Sequence, residues 1–145
     1  MNALEYLNRM EGLFLALGDK TRLRIINLIR GGEVCVWFFT EVLNESQPKI
    51  SRHLAYLRNA GVVTTRREGK WIYYRIAVPH DPLELSILQG VVDSLDAQPE
   101  LRGEYSSLLA MYAAPVEEVP ERYVEIETDD YIEYEEKEEI ETYLL

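Results

Sequence analysis

The tightest constraint on the fold of this chain lies in residues 46–76. Ser46 precedes QPKISRHLAYLRN (47–59), and a serine there can accept a hydrogen bond from an orphan N–H of a helical first turn. Pro48 is tolerated in that turn because its missing N–H would have had no intrahelical acceptor. Ile50, Leu54 and Leu57 fall on one stripe at helical spacing, with Pro48, Arg52, Ala55 and Asn59 opposite and Lys49 and Tyr56 flanking the outer face. Gly61 suits the left-handed position just past a helix. VVTTRR (62–67) is β-branched and then basic, as an outward-running strand would be. Glu68 and Gly69 mark a turn, and WIYYRI (71–76) reads as the returning strand.

The flanking segments are helical. Residues 3–17 place Leu4, Leu7, Met10, Leu13 or Phe14, and Leu17 at three- and four-residue steps. Gly18 ends that helix and Asp19 caps the next, about 20–30, before Gly31 and Gly32 stop it. Residues 34–44 are expected to form a short helix whose apolar face comes from Val34, Trp37, Phe38 and Val42, with a tight connection at 44–46. After Pro79 and Pro82, a helix over 83–96 rests on Leu83, Ile87, Val91 or Val92, and Leu95. A further helix over 100–112 involves Leu101, Leu108, Leu109 and Met111. This order, mainly α with a β-hairpin wing, predicts a winged helix-turn-helix. The expected organisation is a winged helix-turn-helix domain at 1–98, a helical extension at 99–116 and an acidic tail at 117–145.

Charge sharpens the reading. The chain of 145 residues has a formal net charge of −11, but residues 117–145 hold 13 acidic and 2 basic side chains and supply all of it. Residues 47–75 carry Lys49, Arg52, Arg58, Arg66, Arg67, Lys70 and Arg75 against Glu68 alone, a net of +6, while 1–46 and 76–116 carry −1 and −5. One basic island on a neutral body fits a phosphate-binding surface, or else a solvated face.

Several classes are disfavoured. The longest apolar runs, such as residues 34–39, are far short of the ~20 residues of a membrane helix. The N-terminus carries Glu5 and no apolar signal core, which argues against secretion. A single Cys excludes an intrachain disulfide framework and zinc modules of the four-Cys or Cys₂His₂ kind. With two His, no HExxH, no GxSxG, no P-loop and no His near Cys35 in sequence, an enzyme is not expected. No cofactor is expected either.

LALGDKTRLRIINLI (15–29), SQPKISRHLAYLRNAGVV (46–63) and RREGKWIYYRI (66–76) resemble the arsenic-repressor (ArsR/SmtB) family of bacterial transcription factors, over about residues 4–96. The resemblance implies a cytoplasmic homodimer that occupies double-stranded operator DNA, is released by an inducer, and packs its first and last helices, here 3–17 and 83–96, across a two-fold. It places the base-reading positions on Gln47, Pro48, Ser51 and Arg52. Their chemistry agrees: Gln47 can bond a base edge, Ser51 a base or phosphate, and Arg52 has the planar fork suited to guanine. Helix capping and solvent exposure are the plainer roles for Gln47 and Ser51. Lys49, and Arg66, Arg67 and Lys70 around the wing turn, would meet backbone phosphates. His53 beside the core stripe reads as a packed or hydrogen-bonded histidine, and Trp71, Tyr73 and Tyr74 as hairpin packing.

The effector is where the chain departs from the family. The arsenical branch carries a Cys-Val-Cys pair and a third Cys three residues later, a soft three-sulfur site for As(III). Here Cys35 holds the first position, but Trp37 and Thr40 replace the other two. The zinc branch uses carboxylates and several His on the last helix. This chain offers Asp81, Glu84, Asp93 and Asp96 with only His80, so no metal site is expected. Cys35 remains a candidate for effector contact or thiol modification, or a small buried hydrophobe. Trp37, Phe38 and Phe39 suggest a plain core ahead of an apolar pocket for a small-molecule inducer. The tail at 117–145 is expected to be disordered on its composition. It reads as a solubilising segment, or as a polyanion competing with DNA for the basic island. The rival to a DNA-binding repressor is an interaction scaffold, with the same dimer and a tail that binds a basic partner.

Overall fold

The computed structural model describes residues 1–112, so the acidic tail at 117–145 and the end of the extension at 113–116 lie outside the described residues. Six helices and a small sheet follow in the order α1 (Ala3–Leu17), α2 (Lys20–Ile29), β1 (Val34–Cys35), α3 (Val36–Leu43), α4 (Gln47–Asn59), β2 (Val63–Glu68), β3 (Trp71–Ile76), α5 (Pro82–Asp96) and α6 (Pro99–Tyr112).

Four of the helices, α1, α2, α4 and α5, start where a side chain satisfies a free N–H group of the first turn. Asn2 and Glu5 form a reciprocal capping box on α1, Asp19 accepts from the Arg22 N–H, Ser46 from Lys49 and Asp81 from Leu83. α2 is the hub and touches every other helix as well as β3. Residues 25–29 of α2 are therefore all buried, where an isolated amphipathic helix would alternate. The core closes around it with Phe39, Leu43, Ile50, Leu54, Leu57, Val62, Val63, Tyr74, Leu88 and Leu108.

Three details differ from the sequence reading. Val34 and Cys35 do not begin a helix; they form a short strand that pairs antiparallel with Tyr74 and Tyr73, giving the sheet order β1-β3-β2. Gly32, at φ +151°, redirects the chain there, and the inner edge of β3 offers hydrogen bonds that a first helical turn would lack. Ala55, expected on the outer face of α4, is buried. Its small side chain lets α4 lie close against its neighbours. The stripe expected on α1 also divides. Leu13, Ala16 and Leu17 are buried, whereas Leu4, Leu7 and Phe14 are exposed because no part of the described chain covers that half of the helix.

The wing is tight. Gly61, at φ +76°, turns the chain from α4 into β2, and its neighbour Val62 donates back to the Leu57 carbonyl. β2 and β3 pair in full register from Val63 opposite Ile76 to Glu68 opposite Trp71. Gly69 and Lys70 make the two-residue turn, with a positive φ (+60°) only at the first position, as a type II′ turn requires.

Candidate nucleic-acid interface

α3 and α4 are joined by three residues. Asn44 ends α3 in the left-handed conformation (φ 52°), and Ser46 caps α4. Ile50, Leu54 and Leu57 anchor one face of α4 in the core, which fixes what the other face presents. Pro48 and Arg52 are exposed there, with Gln47, Lys49 and Ser51 half-buried beside them. The five positions singled out on this helix thus lie in its first two turns, around an N-terminus that favours anions. Lys49 is held at 3.0 Å by Glu45, one turn earlier.

Behind this surface sits a clamp the sequence did not disclose. The Arg22 guanidinium donates to the Ala16 and Leu15 carbonyls (2.7 and 2.9 Å) at the end of α1. It also lies 4.1 Å over the Tyr56 ring and 3.3 Å from His53 Nδ1, both on α4. Asp19 completes the cluster, its carboxylate 3.8 Å from the same imidazole nitrogen. Burial pushes the His53 pKa below its ordinary value, against the pull of Asp19. His53 is therefore a neutral, packed and hydrogen-bonded residue, as its place beside the core stripe suggested. Only the N-cap role of Asp19 was visible locally; contacts spanning six to thirty-four residues leave no sequence signal.

On the wing, the three basic residues separate. Arg67 and Lys70 are exposed at the tip, with Arg67 Nε near the Gly69 carbonyl. Arg66 instead packs on the Tyr73 ring (4.7 Å to its centroid) and donates to the Glu33 carboxylate at 2.8–3.0 Å and to Glu68 at 2.7 Å. The guanidinium beside it holds the Glu33 carboxyl below its usual range. Arg66 thus ties the wing to the segment entering β1, and its charge is met by two carboxylates.

Cys35 is buried, and burial pushes its thiol pKa up. Of the two neighbouring positions, Trp37 is half-buried and packs edge-on against Phe38 (4.9 Å), and Thr40 is buried and donates to the Trp37 carbonyl at 2.7 Å. Tyr112, the last described residue, stacks on Phe38 (4.3 Å) and donates to the Glu33 carbonyl (2.8 Å). Burial pushes its phenol up to about 12. Among the described residues, no group of three or more His, Cys, Asp or Glu is gathered to hold a metal, and no helix is long and apolar enough to cross a membrane.

Three packed helices, a capped second helix of the α3–α4 pair with its outer face open, and a β-hairpin beside it define a winged helix-turn-helix protein. The family model of the arsR family of bacterial regulatory proteins matches residues 19–65, from the cap of α2 into β2. The arsenic resistance transcriptional regulator ArsR1 of Pseudomonas putida is 49% identical over 83 residues, 57% of this chain and 65% of that protein. The transcriptional repressor SdpR of Bacillus subtilis is 39% identical over 67 residues, 46% of this chain and 74% of that protein. Among solved structures, the homodimeric winged helix-turn-helix DNA-binding domain of Mb0332 from Mycobacterium bovis, a possible ArsR-family regulator, superposes with a TM-score of 0.54. It is 29% identical and covers 66% of this chain and 90% of its own. The chain belongs to the arsR family. It spans 56–65% of the length of three arsenic-resistance relatives that it matches at about half identity.

Proposed function

We propose that this protein is a transcriptional repressor that binds double-stranded DNA as a homodimer, with α4 in the major groove. Its side chains play two roles. Gln47, Pro48, Ser51 and Arg52 face base edges, whereas Lys49, Arg67 and Lys70 meet phosphates. Arg66 belongs to the same surface but acts through Glu33 and Glu68, setting the wing rather than holding a phosphate. The observation that carries this reading is the placement of α4: three buried apolar anchors on one face, and Pro48 and Arg52 open on the other beside basic wing residues. α1 and α5 expose the apolar side chains that would meet across the two-fold, and an inverted-repeat operator follows, with half-sites ~34 Å apart.

Release is assigned to an effector other than As(III) held by three thiolates. One buried Cys35 per chain, with Trp37 and Thr40 packed where two thiols would be needed, supplies one sulfur ligand.

Fluorescence anisotropy of labelled DNA from upstream of the protein's own gene, at two salt concentrations and with or without As(III), tests this. Binding is expected to weaken steeply with salt and to persist with As(III). Arg52→Ala should lose about 1–3 kcal/mol of discrimination between operator and unrelated DNA. Lys70→Ala should weaken all sequences alike and reduce the salt slope by about 1. Equal affinity for operator and unrelated DNA in the unmodified protein would overturn the reading.

A further inference from the structure

The acidic segment after α6 has no role in the reading above, and the rest of the chain restricts where it can be met. Residues 117–145 carry a net −11, and 1–46 and 76–116 are themselves acidic. Only 47–75, which form α4 and the wing, hold an excess of positive charge. That excess is +6, and still +4 once Glu33 and Glu45, which pair on this face, are counted. The face already collects carboxylates from its own surroundings: Glu45 on Lys49, and Glu33 and Glu68 on Arg66.

The path of the chain supplies the second argument. α6 packs against α2 and α3 and ends at Tyr112, whose hydroxyl donates to the Glu33 carbonyl. The Glu33 carboxylate is in turn bound to Arg66 of β2. The chain therefore leaves the described fold beside the wing, one residue removed from a wing arginine. The 33 residues that follow have an extended reach on the order of 100 Å. The 13 residues of α4 span roughly 20 Å.

We infer that residues 117–145 dock in cis on the basic face formed by α4 and the wing, where they occupy the surface assigned above to DNA. The occupant is a polyanion in each case, so segment and DNA exclude one another. The tail then acts as a built-in competitor: it suppresses binding to arbitrary sequences, whose affinity is almost wholly electrostatic, more than binding to an operator that also offers base contacts. This consequence rests on the DNA-binding reading; the docking itself does not.

The full chain can be tested without DNA. Carbodiimide coupling joins a carboxylate to a lysine amine only when the two are in contact. The Lys49–Glu45 pair at 3.0 Å is an internal control. Peptide mapping is expected to find Lys70 and Lys49 joined to carboxylates of 117–145, with the links lost when duplex DNA is added or salt is raised. Mixing isotope-labelled and unlabelled protein separates links within a chain from links between chains. A variant with Glu133, Glu135, Glu136, Glu138, Glu139 and Glu141 each changed to Gln, which brings the segment from −11 to −5, should form markedly fewer links and bind unrelated DNA more tightly, on the order of tenfold at low salt. Links absent while the control forms, or found only between chains, would overturn docking in cis. Links that form in a protein with no affinity for any DNA would sustain the docking and overturn the DNA-binding reading instead.

Discussion

Three helices converge on the Arg22 side chain. Its guanidinium satisfies two carbonyls at the end of α1, lies over Tyr56 of α4 and reaches His53. Arg22→Ala leaves the half-buried Ala16 carbonyl without its side-chain donor and removes the contact on Tyr56, and is expected to cost about 1–3 kcal/mol in urea denaturation. Arg22→Lys should recover little of it, because an ammonium cannot fork between two carbonyls and stack on a ring together. His53 gives the same cluster a pH signature. Its folded-state pKa is pushed below 6.5, chiefly by burial, with Asp19 opposing and Arg22, Lys49 and Arg52 assisting. Above pH 6.5 both folded and unfolded states hold it neutral. As pH falls through 6.5 the unfolded chain takes up a proton that the folded chain resists, so stability declines, levelling once the folded imidazole is also protonated. Asp19, lowered below 3.8, adds a loss only in that more acidic window. The urea midpoint is thus expected to fall from pH 7.5 to pH 5, and His53→Gln should flatten that limb.

α6 shows how a helix with weak amphipathicity is nonetheless fixed in place. Leu108 is 1% exposed against α2 and α3, while Leu109 beside it is 51% exposed. Asn27 of α2 donates to the Leu101 carbonyl (2.8 Å), Arg24 pairs with Glu104 (2.6 Å), and Arg30 stacks on Tyr105 (4.1 Å). A methyl group at Gly31 would overlap the Tyr105 hydroxyl, so that glycine serves close approach. Leu108→Ala is expected to cost about 2–5 kcal/mol and Leu109→Ala under about 0.5, a contrast that paired urea melts read directly. The existence of this helix was legible in residues 100–112, but its docking was not. Its partners on α2 lie 74 to 80 residues away, and Arg24, Asn27 and Arg30 look locally like ordinary helical residues. α4 is the opposite case. Its cap, proline, apolar stripe and closing glycine are all local signals, and they located both the helix and the face it presents. β1 was missed because Val34 and Cys35 become a strand only through the free edge of β3, some forty residues on.

At the scale of the molecule, most of the exposed large apolar side chains among the described residues lie on α1 and α5. Leu4, Leu7, Phe14 and Leu15 on α1 and Leu83 and Leu85 on α5 are exposed, with Phe14 at 56% and Leu83 at 60%. A run of large apolar groups on adjoining elements is costly to leave in water, and a two-fold partner would cover both helices at once. Phe14→Glu and Leu83→Glu each bring a charge to such an interface, where it cannot be hydrated, yet disturb little of a lone chain because both sites face solvent within it. Sedimentation equilibrium should show the unmodified protein as a dimer and the double variant as a monomer. Denaturation midpoints should rise with concentration for the first and stay constant for the second. DNA binding supplies the coupled readout. Two copies of α4 must be held one helical turn apart to read an inverted repeat, so the monomeric variant should protect a single half-site at best, with a salt slope about half that of the dimer. A double variant that still protected the full repeat would show that the two reading heads are joined through some other face.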